Sequence, residues 1–382
     1  MDLPEIFMCC PAVYAVSDRY IITVPVTEPC VMWVRVGDRN YYDHSNGILR
    51  SASLTHMMEV PSAALDSSRS YTVCWRKIIE RKPYFSDLCD VSEWSSSFRP
   101  CGTRDAGKIN IFHIADAHNR VSGPIAAGSR FGDELDLLIL NGDIPNHSGD
   151  IKNFSAIHRI AGTVSGGTVP VIFSRGNHDM RGIYAEELER HTPTDRGRSY
   201  FTVKLGRVWA VVLDCAEDKP DGNPEYGHTI CCAEFREEET RFLRGLEASC
   251  ETEYAAPGVE YRLVIAHNPF CEPRNAPFDI EMDRYAEWAS ILKKTVKPDL
   301  MICGHTHRCY VTMPGDPLDK LGQPCPVIAA SALSKEDREY YRGGAITLDG
   351  RTASVSFTDS RGDSSEPVTV ALGDNGIPVK KV

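Results

Sequence analysis

The sequence predicts an α/β domain preceded by a smaller all-β domain, and three observations support this prediction. The first hundred residues contain short runs rich in valine, isoleucine, tyrosine and tryptophan, separated by turn-forming stretches. From Lys108 onward, continuous apolar runs alternate with amphipathic, helix-like segments. Polar residues that can bind metals follow most of those apolar runs. These features together predict layers of helix and sheet, with a site where the strands end.

The composition indicates an ordinary globular protein with an acidic surface. The chain has 382 residues, of which 42% are hydrophobic and 25% are charged, and its formal net charge is −11. This length predicts two or three domains. A net negative charge disfavours binding to nucleic acid, because nucleic acid prefers a basic surface, although a local basic groove would still allow it.

The N-terminus and the cysteines predict a location in the reducing cytoplasm. The first residues lack the basic start of a secretory signal, and Pro11 interrupts an uncharged run that is too short to span a bilayer. The fourteen cysteines are scattered and form no C-x-x-C motif. We therefore expect free thiols instead of a disulfide framework, and no membrane partner.

The N-terminal region reads as an antiparallel β-sandwich. The runs "RYIITVPV", "CVMWVRV" and "YTVCWRKIIE" have strand-like composition. In the last run, Tyr71, Val73 and Trp75 alternate with more polar residues, as in a half-buried strand. The stretch "SEWSSSFRPCGTRDAGK" is polar and is expected to be a linker to the next domain.

The remaining chain follows the pattern of an α/β fold. Apolar strands such as "DLLILNGD", "VPVIFSRGNHD" and "YRLVIAHNPF" alternate with helical segments such as "AEFREEETRFLRGLEAS" and "MDRYAEWASILKKTV". In the first of these helices, Phe235, Phe242 and Leu246 are spaced to form an apolar stripe. Further strand-like runs close to the C-terminus predict a β extension of the same domain.

The ends of the predicted strands carry a set of possible metal ligands. Any one of these motifs is weak by itself, since Gly-Asp after a strand is often a turn and a lone histidine is often part of the core. Their joint occurrence at strand C-termini indicates a metal site, and there are too many for one tetrahedral zinc. Two divalent cations would use them naturally. The seven candidates are Asp116, His118, Asp143, Asn177, His267, His305 and His307.

This ordered set resembles the five-motif signature of calcineurin-like metallophosphoesterases, over about residues 108 to 310. The resemblance implies a four-layer sandwich, in which two mixed β-sheets lie face to face with helices outside. The preceding β-rich segment resembles the layout of purple acid phosphatases and their relatives. We therefore expect a fibronectin-III-like β-sandwich over residues 1–104, a dimetal phosphoesterase domain over 105–343 and a C-terminal β extension over 344–382.

The resemblance also implies roles for the candidate residues. One metal ion would be held by Asp116, His118 and His307. The second would be held by Asn177, His267 and His305. The metals would be two divalent ions of manganese, iron or zinc, which suit this mixture of oxygen and nitrogen ligands about equally.

Two further residues would take part in the reaction itself. Asp143 would bridge the two ions, which would hold a hydroxide for in-line attack on phosphorus. His178 would stabilise charge in the transition state or protonate the leaving oxygen.

The sequence departs from two branches of this family at Asn146, and it also differs from purple acid phosphatases at His118, since their first motif lacks this histidine. Purple acid phosphatases have a tyrosine where this chain has Asn146, so we expect no iron(III)-tyrosinate centre. Protein Ser/Thr phosphatases have an aspartate there that pairs with the catalytic histidine, so a protein-phosphatase role is doubtful. Either Asp179 or a backbone carbonyl could orient His178 instead.

Two long connections are expected to shape the substrate pocket. Residues 215–232 offer His228, Tyr226 and Asp218 as substrate contacts, although the same loop could simply exclude water. The second loop, after His267, offers Arg274 as a phosphate clamp, although most exposed arginines have no special role. His147, which follows the Gly-Asp motif, could reach the leaving group.

The leading functional hypothesis is therefore a dimetal phosphatase that acts on a small phosphorylated molecule. One alternative is a phosphodiesterase or nuclease that uses the same centre. Another, of a different class, is a scaffold or binding module that has lost its metals; the complete ligand set speaks against it. The sequence leaves the oligomeric state open.

Overall fold

The computed structural model describes residues 2–104, 107–272 and 274–373. The predicted domain boundary between residues 104 and 105 adjoins a gap in this description, and residues 374–382 of the predicted C-terminal extension lie outside it. The three predicted domain ranges therefore stay predictions.

The described residues form 23 strands and five α-helices. The strands are β1 (Ala12–Val16), β2 (Arg19–Pro25), β3 (Cys30–Val36), β4 (Arg39–Tyr42), β5 (His44–Ser45), β6 (Ile48–Leu49), β7 (Thr55–Pro61), β8 (Ser70–Glu80), β9 (Asp87–Leu88), β10 (Ser92–Ser97), β11 (Ile109–Ile114), β12 (Leu137–Asn141), β13 (Pro170–Ser174), β14 (Phe201–Leu205), β15 (Val208–Leu213), β16 (Tyr261–Ala266), β17 (Leu300–Cys303), β18 (Tyr310–Thr312), β19 (Val327–Ala329), β20 (Ala332–Leu333), β21 (Tyr341–Asp349), β22 (Thr352–Asp359) and β23 (Val368–Ala371). The helices are α1 (Ser62–Ser68), α2 (Ser122–Gly128), α3 (Ser155–Ser165), α4 (Cys232–Gly245) and α5 (Met282–Ile291).

Two large mixed sheets form the centre of the molecule. The ten-stranded sheet has the order β23-β22-β21-β11-β12-β13-β1-β2-β7, with β20 paired beside β21. The six-stranded sheet has the order β14-β15-β16-β17-β19-β18. In each sheet the central strands run parallel, as expected of apolar strands that are covered on both faces.

The two sheets pack face to face, with helices on the outer sides. Leu263 and Ile265 of β16 belong to the apolar core that they share with the ten-stranded sheet. Val264 and Ala266, which point the opposite way, pack with Trp288 of α5 in a second core. Helices α2 and α3 cover the far face of the ten-stranded sheet. The predicted four-layer architecture is confirmed.

The strand-rich N-terminal region is joined directly to the ten-stranded sheet. Strands β3, β4, β8, β9 and β10 form a separate five-stranded sheet, but β1, β2 and β7 continue the ten-stranded sheet. The junction is a parallel pairing of β1 with β13, in which Val13 lies opposite Pro170. The predicted linker was wrong in part, because Ser92–Ser97 pairs with β8 as strand β10.

Helix α4 differs from its predicted apolar stripe. Its buried face includes Arg236 and Glu239, which have ionisable side chains, whereas Phe235 and Phe242 lie at its side against Tyr200. Burial of Arg236 is possible because its guanidinium donates to the carbonyls of Cys215 and Glu217 and to a carboxylate of Glu281.

No helix in the described ranges, 2–104, 107–272 and 274–373, is both long and apolar enough to cross a membrane.

Candidate metal centre

The carboxyl ends of parallel strands from both large sheets meet at one edge of the sandwich. Asp116 and His118 follow β11, Asp143 follows β12, and Asn177 follows β13. His267 follows β16 of the facing sheet, and His305 and His307 follow β17. The structure thus brings together all seven predicted ligands, as expected for strand ends in an α/β fold.

Asp116, His118 and His307 form the first cluster. Nε2 of His307 lies 3.2 Å from Oδ1 of Asp116 and 3.0 Å from Nε2 of His118. One atom from each of these three side chains lies within 4.8 Å of the others. Two ring nitrogens and one carboxylate oxygen that converge on one point can hold a divalent cation.

Asp143, His267 and His305 form the second cluster, and Asn177 adjoins it. Nε2 of His267 lies 3.3 Å from Oδ2 of Asp143. Nδ1 of His305 lies 3.1 Å from Oδ1 of Asn177. Nε2 of His267 is also 3.7 Å from Oδ1 of Asp116, which belongs to the first cluster. The two clusters are therefore adjacent, and Asp143 also groups with His118 of the first cluster.

The buried polar atoms of these side chains test whether metal ions fit here. Oδ1 of Asp116 and Nε2 of His267 are buried and have no hydrogen-bond partner among the described residues. Their other polar atoms are fully engaged: Oδ2 of Asp116 accepts from the backbone N–H of His305 and from Ser331, and Nδ1 of His267 donates to the carbonyl of Asn141. The nearest charged neighbours of these two atoms are other members of the clusters, at 3.2 Å for Asp116 and 3.3 Å for His267, so the donor set fits a pair of cations.

The electrostatics of the centre also favour positive charge. Burial would raise the pKa of Asp116, but the rings of His267 and His307 lower it to about 2. Burial would lower the pKa of His267, but the carboxylates of Asp143 and Asp116 raise it to about 10. The carboxylates therefore stay ionised and stabilise positive charge beside them, whether that charge is the proton on His267 or a bound cation.

Backbone strain accompanies the centre. Five candidate ligands adopt left-handed backbone angles that side chains other than glycine rarely adopt, with φ from 45° to 67°: Asp116, His118, Asp143, His305 and His307. Each such residue costs roughly 1–3 kcal/mol and persists only where its surroundings hold it, so the concentration here is typical of a functional site.

Gly176 and Asp179 hold two strand ends in contact. A Cβ atom on Gly176 would lie 2.3 Å from Oδ1 of Asp143, so only glycine fits there. Oδ2 of Asp179 accepts hydrogen bonds from the backbone N–H of Asp143 at 2.9 Å and of Gly176 at 2.8 Å. Burial and the charge of Asp143 raise the pKa of Asp179 to about 7. Asp179 therefore holds the backbone of Asp143 and does not orient His178.

His178 is oriented by a backbone carbonyl, which was one of the two alternatives left open by the sequence. Its Nδ1 lies 2.7 Å from the carbonyl oxygen of Asn146, so Nδ1 carries the hydrogen. Its Nε2 points toward Oδ2 of Asp143 at 3.9 Å, and its ring lies 4.7 Å from that of His118. The backbone at position 146 thus makes the contact whatever side chain stands there.

Arg181 connects this histidine to the loop of residues 215–232, and the sequence did not single it out. Its Nη1 lies 3.3 Å from Nε2 of His178, and its guanidinium makes two hydrogen bonds with Glu217, at 2.7 and 2.9 Å. Glu225 of the same loop lies 3.3 Å away. The one available signal was its place three residues after His178. Ser331, which donates to Asp116, had no signal at all.

We expect Arg181→Ala to lower the free energy of unfolding by about 3 kcal/mol, because an unpaired buried charge is costly. The Glu217 side chain is only 1% exposed and would keep the Tyr226 hydroxyl as its remaining side-chain partner. Chemical denaturation measures the change. Arg241→Ala is the matched control, since its pair with Glu234 is exposed and should contribute under about 1 kcal/mol. Equal losses in both variants would contradict the prediction.

The predicted substrate contacts are found in different settings. Arg274 and Asp218 line one pocket together with His305, so they lie beside the second cluster. His147 is exposed and its Nδ1 accepts from the backbone N–H of Gly149. His228 is exposed and does not line the pocket that contains Arg274 and His305. Tyr226 is buried, and its hydroxyl donates to Glu217.

The chain is similar to a known protein family and to one curated relative. The calcineurin-like phosphoesterase family model matches residues 109–309. A probable cyclic nucleotide phosphodiesterase of Rhodopseudomonas palustris is 27% identical over 204 residues, which span 50% of this chain and 64% of that relative. The chain therefore spans less than two thirds of the length of that relative.

Two solved structures share the fold. Purple acid phosphatase PPD1 from yellow lupin (Lupinus luteus) seeds superposes with a TM-score of 0.59 at 12% identity, covering 96% of this chain and 75% of its own. PhoD superposes with a TM-score of 0.51 at 10% identity, covering 98% of this chain and 94% of its own. At these identities the likeness establishes the fold alone.

Proposed function

Since the chain belongs to the calcineurin-like phosphoesterase family, we propose that it is a phosphoric ester hydrolase and, more narrowly, a phosphatase for a small phosphorylated molecule. The observation that supports this most is the convergence of the two adjacent ligand clusters around Asp143. The pocket beside His305 offers Arg274 as a contact for a phosphate group, and the acidic residues Asp218 and Glu272 line the same pocket.

We propose that Asp116, His118 and His307 hold one divalent cation, that Asn177, His267 and His305 hold the other, and that Asp143 lies between them. When bound, such ions act as Lewis acids toward phosphoryl oxygens and lower the pKa of water. The identity of the two ions, whether manganese, iron or zinc, stays a proposal based on the mixed oxygen and nitrogen donors.

The protein's own side chains would position the substrate and move the proton. His178 carries its hydrogen on Nδ1, which the carbonyl of Asn146 accepts, and this leaves Nε2 directed at the centre. When protonated, Nε2 would donate to the phosphoryl group or the leaving oxygen. Arg274 is proposed to bind the phosphate, as a guanidinium matches its geometry. His147 and His228 are weaker proposals, since both side chains are exposed and neither belongs to the ligand clusters.

The second candidate function is hydrolysis of a phosphodiester. It is supported by the similarity to a probable cyclic nucleotide phosphodiesterase. Within this alternative, a cyclic nucleotide is a better proposal than nucleic acid, because the net charge of −11 disfavours a polyanionic chain.

The experiment that tests the proposal compares para-nitrophenyl phosphate with bis-para-nitrophenyl phosphate. The protein is stripped of metal and then resupplied with manganese, iron(II) or zinc in turn. A preference for the monoester supports the phosphatase, whereas a preference for the diester replaces it with the phosphodiesterase. Hydrolysis by the fully stripped protein would contradict the metal-dependent mechanism.

We expect His178→Asn to lower kcat by about 100-fold while bound metal stays unchanged, because the side chain would act on the proton and is not needed as a ligand. Elemental analysis of the purified variant separates the two effects. His147→Asn should change kcat much less, and a larger loss in that variant would transfer the acid role to His147.

We further propose a cytoplasmic location, supported by the fourteen cysteines, which are all free thiols in the structure.

A further inference from the structure

The loop of residues 215–232 places a carboxylate against one of the candidate metal ligands. Oδ2 of Asp218 lies 3.5 Å from Nε2 of His305, and both side chains are largely buried, at 11% and 8% exposed. This separation is slightly longer than the usual N–H···O range of about 2.7–3.2 Å, so a shift of about 0.3 Å makes it a hydrogen bond. Asp218 is therefore placed to accept a hydrogen from this ring.

The other oxygen of Asp218 is surrounded by groups that hold the carboxylate in place. Oδ1 lies 3.4 Å from the hydroxyl of Tyr226, 3.8 Å from Nζ of Lys219 and 3.9 Å from Nη2 of Arg181. Oδ2 is left to face His305. Asp218 belongs to no group of side chains that could hold a metal ion among the described residues. It lies beside the centre and contacts one of its ligands.

The two ring nitrogens of His305 face different groups. Nδ1 lies 3.1 Å from Oδ1 of Asn177. Two atoms that each lie about 2.1 Å from one cation are about 3.0–3.5 Å apart, so this spacing suits the pair as ligands of the same ion. A carboxylate only accepts hydrogen bonds, so contact with Asp218 requires the ring hydrogen on Nε2. The lone pair is then on Nδ1, the nitrogen beside Asn177.

His267, in the same cluster, is oriented in the same way by a different acceptor. Its Nδ1 donates to the carbonyl of Asn141 at 2.6 Å, and its Nε2 faces Oδ2 of Asp143 at 3.3 Å. Each histidine of the second cluster thus directs one nitrogen toward another cluster residue and the other toward an acceptor. The acceptor for His267 is neutral, whereas Asp218 is negative. A negative acceptor raises the basicity of the ligand more strongly and so favours a bound cation.

We propose that Asp218 is a positioning residue for the second metal site. It keeps the hydrogen of His305 on Nε2 and strengthens the bond between Nδ1 and the cation. This role rests on the proposed dimetal function, and it differs from the substrate contact that the sequence suggested for Asp218. It also gives the loop of residues 215–232, which reaches His178 through Arg181, a second connection to the metal centre.

The test is isothermal titration calorimetry of the metal-stripped full chain with manganese chloride. We expect two ions to bind to the unaltered protein. In Asp218→Ala, one of the two dissociation constants should rise by about 10–100-fold, while the other should change by less than about twofold. Asp218→Asn should give a smaller rise, because its amide oxygen still accepts the hydrogen from His305 but carries no charge.

Glu225→Gln is the matched control, because it removes one negative charge from the same loop. Glu225 pairs with Arg181 and Lys219 and belongs to no group of candidate ligands. Both dissociation constants should stay unchanged in this variant. The melting temperature of each metal-free protein separates a loss of affinity from a loss of fold, and Asp218→Asn, which keeps the shape, should melt as the unaltered protein does.

Three results would overturn the role of Asp218. They are unchanged affinities in Asp218→Ala, an equal weakening in Glu225→Gln, and a higher KM for para-nitrophenyl phosphate in Asp218→Asn with both ions bound as before. The last result would make Asp218 a substrate contact. If the unaltered protein binds fewer than two ions, the dimetal function itself fails, and the role of Asp218 fails with it.

Discussion

Replacing Asp143 with asparagine should abolish hydrolysis and deplete bound metal. The side chain is buried at the junction of the two ligand clusters, where Oδ2 faces His267 and Oδ1 accepts from the backbone N–H of His178 at 2.8 Å. Asparagine keeps the shape but removes the negative charge that two adjacent cations require. We expect kcat to fall by about 1,000-fold or more, as when a group that stabilises charge in the transition state is lost.

Asp136→Asn is the matched control for this variant. Asp136 is equally buried, but it pairs with Arg104 at 2.9 Å and lies outside the ligand clusters. The control should lower the melting temperature and keep both metal content and kcat. Metal analysis and kinetics on the two variants measure the difference. Full activity of Asp143→Asn would contradict the dimetal hypothesis.

Gly176→Ala should have a comparable effect on activity without changing any polar group. The Cβ atom of the new alanine would lie 2.3 Å from Oδ1 and 2.6 Å from the backbone nitrogen of Asp143, so Asp143 must move. Such overpacking costs about 1–3 kcal/mol of unfolding free energy. We expect weaker metal binding and a loss of kcat of about 100-fold or more, since small misplacement at a catalytic centre is expensive.

Gly245→Ala provides the comparison for Gly176→Ala. A Cβ atom at Gly245, the last residue of α4, would meet nothing within 4 Å. This substitution should be neutral or slightly stabilising, because alanine is a better helix former than glycine. Thermal unfolding and metal titration of both variants test the contrast. Unchanged metal affinity in Gly176→Ala would show that the two strand ends need not be in contact.

Several features of the site could be predicted because they depend on local sequence. Each candidate ligand directly follows an apolar run, and parallel strands place their carboxyl ends at one edge. That rule alone predicts that Asp116, His267 and His307 lie close together. The four-layer architecture followed from the family resemblance and is confirmed. The individual roles of these residues stay predictions.

Other features depended on contacts that leave no local signal. The carbonyl of Asn146 orients His178, and a carbonyl is present at every position. Ser331 reaches Asp116 across 215 residues of sequence. The buried ionisable residues of α4 were unexpected because helical periodicity predicts a buried face only from apolar residues. Arg236 is stabilised there by carbonyls of another segment, which its own helix does not reveal. Strand β10 looked like a linker because its side chains are mostly serine, and its pairing with β8 is made by the backbone.

The pairing of β1 with β13 has a consequence for how the chain assembles. Val13 and its neighbour on β13, Pro170, are separated by more than 150 residues, so Val13 is synthesised long before Pro170. A chain contact of such long range is slow to form, because the entropy of closing the loop must be lost before any bond is made. After β13 has formed and before β1 pairs with it, the edge of β13 is open to strands of other molecules. A fragment without the first strands would keep that edge permanently, so we expect it to aggregate during refolding, where the full chain stays monodisperse in light scattering.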